Sequence, residues 1–322
     1  MSYSIKHLIE LGERLVNFSC EEVIEAALNQ NSWFTRGSIL SAIEAIRVEM
    51  LSSSKLTEWM SHYPELPVTE PANVLVVMAG NIPAVGFFDM LCVLMAGHTL
   101  YIKPSSKDRA LILYLREQLM EINPSIPIYI YRDGDPIDAV IATGGESANL
   151  HFRSVYRGVP TILRGNRSSV AVLCGDENGD DIDLLIKDIY THSGLGCRNV
   201  SMIFLPKGMK LTLPKVESSA GYGNNYLQQR ALSTIKGEEF VDSGSSILLY
   251  SDELPTALST ITLSEYSSVE EVDEWLLSHD SQIQCVVSRG YTHPRAVGFG
   301  ASQSPSLFDY PDAVDVMKFL TL

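Results

Sequence analysis

A cysteine at the end of a loop of small residues is the feature of this sequence most suited to covalent chemistry. The stretch His192-Ser193-Gly194-Leu195-Gly196-Cys197-Arg198-Asn199 precedes an apolar run over 202–205, which predicts a short buried strand. Glycines before the cysteine would let a ligand approach the backbone and leave the sulfur uncovered. Arg198 and the loop amides would favour the thiolate, which is the nucleophilic form. The stretch therefore predicts a nucleophile at Cys197, although a buried structural cysteine would have the same local sequence.

A second group of candidate residues follows a strand pattern near residue 80. The run 74–78 is continuously apolar, as in a strand that is covered on both faces. It ends at Ala79-Gly80-Asn81-Ile82-Pro83, and an apolar stretch then predicts a helix that ends at Gly97. Gly80 and Asn81 thus lie between a strand end and a helix start, where open α/β sheets bind ligands. Asn81 would equally serve as an N-cap of that helix.

The elements around these residues alternate between strands and helices. In the first half the apolar patterns predict strands over 99–103, 126–131, 138–142 and 161–163, with helices over 107–121 and 146–157. Such alternation predicts a doubly wound parallel sheet. Residues 4–62 have helical spacing and predict a covering layer.

The second half predicts another, smaller α/β unit. The patterns predict strands over 170–173, 202–205, 247–250 and 283–287, and helices over 184–192 and 269–277. Residues 207–244 are less regular, and Gly221-Tyr222-Gly223-Asn224-Asn225 reads as a loop. We therefore predict N-terminal helices and a cofactor domain over 1–165, a cysteine domain over 166–292, and a tail over 293–322 that packs back on the body.

The composition argues against several classes of function. The chain has 322 residues, of which 45% are hydrophobic, and a net charge of −15. This charge argues against nucleic acid or an anionic membrane as the main partner. The segment 83–97 is too short to span a bilayer, and no secretory signal is visible. Five scattered cysteines without metal-type spacing predict reduced thiols, no metal site and a cytoplasmic location.

Five sequence blocks, taken together and in order, resemble the aldehyde dehydrogenase superfamily, and most closely its acyl-CoA reductase (LuxC-like) branch. The blocks are Ala79-Gly80-Asn81-Ile82-Pro83, Tyr101-Ile102-Lys103-Pro104-Ser105-Ser106, Asp138-Ala139-Val140-Ile141-Ala142-Thr143-Gly144-Gly145, Arg164-Gly165-Asn166-Arg167-Ser168-Ser169-Val170-Ala171-Val172 and Gly194-Leu195-Gly196-Cys197-Arg198-Asn199-Val200. The resemblance implies an aldehyde-dehydrogenase-like fold, with a Rossmann-type cofactor domain and a smaller catalytic domain. It also implies NADP or NAD as cofactor, an acyl-CoA substrate and a homodimer.

The resemblance also implies roles for single residues. Cys197 stands in the slot of the cysteine that takes the acyl group. Asn81 matches the asparagine that donates to the oxyanion, with the Cys197 backbone amide as second donor. Lys103 and Ser105 match the block that contacts the adenosine part of the cofactor. The turn Thr143-Gly144-Gly145 matches one that lies against the cofactor. His192 is a candidate acid or base, or a residue that stabilises a helix C-terminus.

One departure from the family favours reduction over oxidation. Aldehyde-oxidising members carry a glutamate that activates the hydrolytic water, and the matching slot here holds Leu163. Residues 160–172 contain no carboxylate, and leucine cannot act as a general base. Unless Glu146 or His192 replaces that base, the acyl-enzyme should react with hydride or a thiol and only slowly with water.

Other departures keep alternatives open. The segment between Cys197 and the strand near 243–251 is shorter than in ordinary aldehyde dehydrogenases, and the glutamate that binds the nicotinamide ribose cannot be placed beyond the candidate Glu239. The sequence therefore predicts NAD(P)H-dependent reduction of an acyl-CoA to an aldehyde. The alternatives are an aldehyde dehydrogenase, an acyl-phosphate reductase, or a non-enzymatic relative that binds a nucleotide or acyl-CoA.

Overall fold

The computed structural model describes residues 5–321 and divides them into two units. The first unit runs to Asn166 and resumes at Pro305, and the second comprises Arg167–Ser304. Each unit contains one sheet. No helix among residues 5–321 combines the length and the apolar character that crossing a membrane requires.

The first unit begins with helices and continues with strand–helix alternation. Its helices are α1 (Ile5–Arg14), α2 (Glu21–Gln30), α3 (Arg36–Ala45), α4 (Ser53–Ser61), α5 (Phe87–Ala96), α6 (Arg109–Ile122) and α7 (Glu146–Val155), with a π-helical turn over Ile46–Met50. Its strands are β1 (Asn73–Val77), β2 (Thr99–Lys103), β3 (Ile128–Ile130), β4 (Ala139–Thr143) and β5 (Thr161–Arg164). The five strands predicted from the sequence agree with these to within two residues at each end.

The five strands form a parallel sheet in the order β3-β2-β1-β4-β5. The order reverses between β1 and β4, so the predicted doubly wound topology is confirmed. Register pairs Val77 with Lys103 on one side and with Ala142 on the other. The carboxyl ends of β1, β2 and β4 therefore lie at one edge of the sheet.

Alternation along the strands divides this unit into two cores. Val74 and Val76 face a large core that includes residues of α1, α2, α5 and α6. Leu75 and Val77 face a small core on the opposite side, where Phe152 of α7 packs. Because every second residue points to the same face of a strand, each strand contributes to both cores.

The second unit is built around a seven-stranded sheet. Its helices are α8 (Gly179–Tyr190), α9 (Ala220–Lys236) and α10 (Val269–Ser278), and its strands are β6 (Ser168–Val172), β7 (Val200–Pro206), β8 (Val241–Asp242), β9 (Ile247–Tyr250), β10 (Thr260–Tyr266), β11 (Ile283–Val287) and β12 (Ala296–Val297). The strand order is β12-β11-β6-β7-β10-β9-β8, and only the β8–β9 pair is antiparallel among these strands. The chain end returns to the first unit with α11 (Val316–Phe319).

The predicted loop at 221–225 is wrong, because these residues lie in the first turns of α9. The Ser219 side chain accepts a hydrogen bond from the Tyr222 amide and caps the helix. The Tyr222 ring is buried, and its hydroxyl lies 2.6 Å from the Ser246 hydroxyl. Capping and burial therefore outweigh the low helix propensity of glycine and asparagine in this stretch.

Candidate active site

The carboxyl edge of the first sheet collects most of the predicted cofactor residues. Lys103 is the last residue of β2, and Thr143 is the last residue of β4. Asn81 is an exposed residue of the loop after β1, and Gly145 is the N-cap of α7. The ends of β1 and β4 flank the point where the strand order reverses, and β2 lies next to β1. Doubly wound sheets bind ligands at this point.

The loop that carries Asn81 is held by close packing and by buried polar groups. A Cβ atom on Gly80 would lie 2.5 Å from the Ser105 hydroxyl, so only glycine fits there. The Asn31 side chain donates to the Gly80 carbonyl at 2.9 Å. Ser105, predicted to touch the cofactor, thus packs against this loop.

The helix after Asn81 begins later than predicted. Residues 83–86 form turns, and α5 starts at Phe87. Ala84 has a φ of 55°, in the left-handed region, which ends any helix that would start at Pro83. Asp108 is fully buried and lies close to the Ala84 amide. Burial raises the pKa of the Asp108 carboxyl to about 8, and the Ala84 amide opposes this shift.

This edge has the features that a phosphate-bearing dinucleotide requires. Among residues 5–321, a Cβ atom on Gly145 would meet no atom within 4 Å, and no side chain caps the N-terminus of α7. Uncapped amides at a helix N-terminus attract phosphate. The Lys103 side chain is half exposed, with its Nζ 3.9 Å from an Asp133 carboxylate that is almost fully exposed. A surface pair of this kind is weak, so the ammonium remains available to an anionic ligand.

The cysteine loop lies in the second unit and is fixed by Asn199. The Asn199 side chain donates to the carbonyls of Asp188, Ile189 and Thr191 at 3.1, 3.1 and 2.8 Å. Its oxygen accepts from the Gly196 amide at 2.8 Å. The backbone amide of Asn199 also donates to the Gly196 carbonyl at 3.1 Å, and this hydrogen bond closes a turn that contains Cys197. This side chain therefore joins the C-terminus of α8 to the backbone on both sides of the cysteine.

Ser169 holds the cysteine itself. Its hydroxyl lies 2.9 Å from the Cys197 carbonyl and 3.1 Å from the Cys285 sulfur, and it accepts from the Cys285 amide at 3.1 Å. Ser169 and Cys285 are buried, whereas Cys197 is partly exposed. The backbone of Cys197 is thus anchored to β6 while the residue reaches the surface of its unit.

A three-residue segment that precedes Leu195 and this turn adopts left-handed backbone conformations. His192, Ser193 and Gly194 have φ values of 55°, 56° and 66°. Such conformations cost non-glycine residues roughly 1–2 kcal/mol each and tend to occur at functional sites. Burial lowers the pKa of His192 to about 4, so its imidazole is neutral at physiological pH.

The start of α9 supports this strained segment. The Ser193 hydroxyl lies 3.0 Å from the hydroxyl of Ser219, which caps α9. A Cβ atom on Gly194 would lie 3.3 Å from Leu258 and 3.7 Å from the Tyr222 ring. The sequence predicted Cys197 as a candidate nucleophile but did not predict these supports or Asn199, because their partners lie far apart along the chain. A serine directly before a helix is a typical N-cap, so Ser219 is the residue from which the start of α9 could have been predicted.

The strand that carries Leu163, β5, has no acidic residue that could act as a general base in place of the family's glutamate. Leu163 packs against the small core of the first unit. The next residue, Arg164, is 4% exposed, and its guanidinium contacts Asp89 at 2.5 Å. Arg164 is thus held in a buried ion pair with α5.

The family model for acyl-CoA reductase (LuxC) matches residues 2–221, about two thirds of the chain. The chain belongs to this family. Membership confirms the resemblance found in the sequence and identifies an oxidoreductase. A search of curated proteins gives no match.

Solved structures establish the fold. The acetylating aldehyde dehydrogenase from Geobacillus thermoglucosidasius has a TM-score of 0.65 and 12% identity, over 95% of this chain and 86% of that one. The NAD+ complex of an aldehyde dehydrogenase from Bacillus cereus has a TM-score of 0.60 and 15% identity, over 88% and 70% of the two chains. The NADP complex of a glyceraldehyde-3-phosphate dehydrogenase from Bacillus halodurans has a TM-score of 0.60 and 13% identity, over 88% and 72%. The predicted aldehyde-dehydrogenase-like fold is therefore confirmed.

Proposed function

We propose that this LuxC family member reduces an acyl-CoA thioester to an aldehyde with NAD(P)H, through an acyl group carried on Cys197. The observation that carries the proposal is the construction of the cysteine loop. A partly exposed cysteine sits in a turn whose carbonyl and flanking amide are fixed by Ser169 and Asn199. Buried polar groups arranged in this way hold a nucleophile in one orientation, and a core cysteine needs none of them.

The chemistry assigned to the chain starts at the sulfur. The Cys197 thiolate attacks the thioester carbonyl, the carbonyl electrons move onto oxygen, and the coenzyme A thiolate leaves. The proposal gives Asn81 and the Cys197 backbone amide the role of oxyanion donors, and losing one such donor typically costs about 10²–10³ in rate. Lys103 and the turn Thr143–Gly145 would hold the dinucleotide, which when bound supplies the hydride that reduces the acyl group.

Collapse of the reduced adduct needs no general acid. The alkoxide that hydride addition leaves expels the Cys197 thiolate directly and becomes the aldehyde. This fits the surroundings of His192, whose pKa of about 4 makes its imidazole a weak base and leaves it without the acidic imidazolium proton at neutral pH. In the proposal His192 shapes the loop and Leu163 leaves the acyl-enzyme without an activated water.

The experiment mixes the purified chain with NADPH or NADH and acyl-CoA thioesters of increasing chain length. The expected result is oxidation of the nicotinamide in equal amounts with free coenzyme A and trapped aldehyde, and loss of this activity in Cys197→Ala. Cys174→Ala is the matched control, because Cys174 is also exposed yet lies outside the loop. A parallel series with acyl phosphates tests the acyl-phosphate reductase.

Two results would contradict the proposal. Formation of a carboxylic acid from an aldehyde, faster than the reductive reaction, would assign the chain to the oxidising dehydrogenases. Tight nucleotide or acyl-CoA binding without turnover would make it a binding protein. Homodimer formation, which the family resemblance implies, is proposed on the same basis and is tested by light scattering of the same preparation.

A further inference from the structure

A buried aspartate in the last turn of α8 makes two different connections. Asp188 is 1% exposed, and its two carboxylate oxygens accept from the Gly300 amide at 2.7 Å and from the Ser302 amide at 3.1 Å. Its backbone carbonyl accepts from the Asn199 side chain at 3.1 Å. Asp188 thus joins the side chain that fixes the cysteine turn to a segment that lies 112 residues further along the chain.

The segment that this carboxylate holds follows β12. We call residues 298–304 the return strap, because they end the second unit before the chain resumes the first unit at Pro305. Phe299 packs against the core to which α8 also contributes. Gly300 has a φ of 78°, and a Cβ atom there would lie 2.7 Å from the side chain of Leu184 in α8. Glycine is therefore required for the strap to lie this close to the helix.

The helix itself does not explain a carboxylate at this position. A negative charge in the last turn opposes the helix dipole, and burial makes an ionised group costly unless it accepts hydrogen bonds. The C-terminus of α8 already has a closing bond, from the Thr191 amide to the Lys187 carbonyl. Burial raises the pKa of the Asp188 carboxyl, and the hydrogen bonds from Ser302 and Gly300 oppose this shift. The contacts with the return strap therefore account for the aspartate.

We propose that Asp188 is a positioning residue for Cys197, which acts by locking the end of α8 against the return strap. The Asn199 side chain donates to three carbonyls at and just after the end of this helix, and that of Asp188 is one of them. A movement of the helix end therefore moves Asn199, and with it the Gly196 amide that Asn199 accepts from. The inference rests on the proposed function for the role of the cysteine.

The test measures how fast iodoacetamide alkylates Cys197 in the full chain, by peptide mapping, well below the melting temperature. In Asp188→Asn one carboxylate oxygen becomes an NH2 group that faces a strap amide, so we expect alkylation to be about tenfold slower. Asp183→Asn, at an exposed position of α8, is the matched control. Leu276→Ala controls for lost stability, because Leu276 is buried in the core on the opposite face of the second sheet.

Two further variants separate positioning from a general structural role. The double variant of Asp188→Asn and Asn199→Asp should alkylate at most about twofold slower than Asn199→Asp alone, since both changes act through one contact. If Asp188→Asn does not fold, Gly300→Ala displaces the strap from the other side of the contact and should slow alkylation by a similar factor. In the reductase reaction, Asp188→Asn should lower kcat about tenfold and leave the KM for NADPH unchanged, because the proposed cofactor residues lie in the first unit.

Three results would overturn the inference. The first is alkylation of Asp188→Asn at the wild-type rate, and the second is an equal loss of rate in Leu276→Ala. The third is a double variant whose loss is the product of the two single losses, which would show that Asp188 and Asn199 act independently. Iodoacetamide needs neither acyl-CoA nor nicotinamide. Slower alkylation without any reduction of acyl-CoA would therefore support the positioning role and contradict only the proposed function.

Discussion

At the scale of single residues, Asn199 decides the shape of the cysteine loop. Its amide group donates to three carbonyls and accepts from one backbone amide, and it is 3% exposed. A carboxylate of the same size could keep only the bond from Gly196. The three carbonyls would then face a negative charge instead of a donor.

Asn199→Asp should therefore destabilise the chain by about 3 kcal/mol and slow alkylation of Cys197. Thermal melting and mass-spectrometric alkylation rates provide the measurements. Melting at low pH is expected to recover part of the lost stability, since a protonated carboxyl regains one donor. Asn224→Asp, at an exposed position of α9, is the control and should leave both quantities unchanged. Equal alkylation rates in Asn199→Asp and wild type would show that Asn199 does not position Cys197.

Asp108 makes a pH-dependent contribution to the stability of the first unit. Its pKa is about 8 in the folded chain, because of burial, against an ordinary value of 3.8. The folded state thus holds a proton that the unfolded state releases, and this group lowers stability as the pH rises from about 4 to about 8.

Asp108→Asn removes that titration. We expect the variant to melt above the wild type at about pH 8 and the difference to shrink towards about pH 4. Asp133→Asn is the control, since the Asp133 side chain is 96% exposed. A melting difference between Asp108→Asn and wild type that stays constant across this pH range would contradict the assignment.

At the scale of elements, the N-cap of α9 connects this helix to the left-handed segment that precedes Cys197. Ser219 caps the helix and contacts Ser193 of the left-handed segment. Ser219→Ala should lower the free energy of unfolding by about 1 kcal/mol, the usual contribution of an N-cap. Denaturant unfolding measures this loss. Ser218→Ala changes the exposed neighbouring serine and should have almost no effect. Equal losses in the two variants would show that the cap does not stabilise α9.

The same elements show how far sequence reasoning reached. Continuous apolar runs predicted β1, β4 and β7, because strands buried on both faces admit few polar residues. The interior strand β10 was not predicted, since Thr260, Thr262 and Ser264 alternate with its apolar residues and are nevertheless buried. Helix α9 was missed because its stability depends on the burial of Tyr222 and on a cap, which local propensity does not register.

At the scale of the whole molecule, the order of motifs predicted more than any one of them. Five blocks in sequence predicted the family and the fold, which the family model and the solved structures confirm. The supports of the site were beyond reach, because Asn199 and Ser169 act through partners on other elements. Spacing along the chain does not report such contacts.

The central claim is that Cys197 carries the acyl group and that water hydrolyses this acyl-enzyme only slowly. The most direct test is the intact mass of the protein after incubation with an acyl-CoA and no reductant, followed by peptide mapping. The account predicts one acyl adduct, on Cys197, that persists in buffer and disappears when NADPH is added. An adduct on another cysteine would contradict it. So would an adduct on Cys197 that is lost in buffer alone as fast as it is lost after NADPH is added.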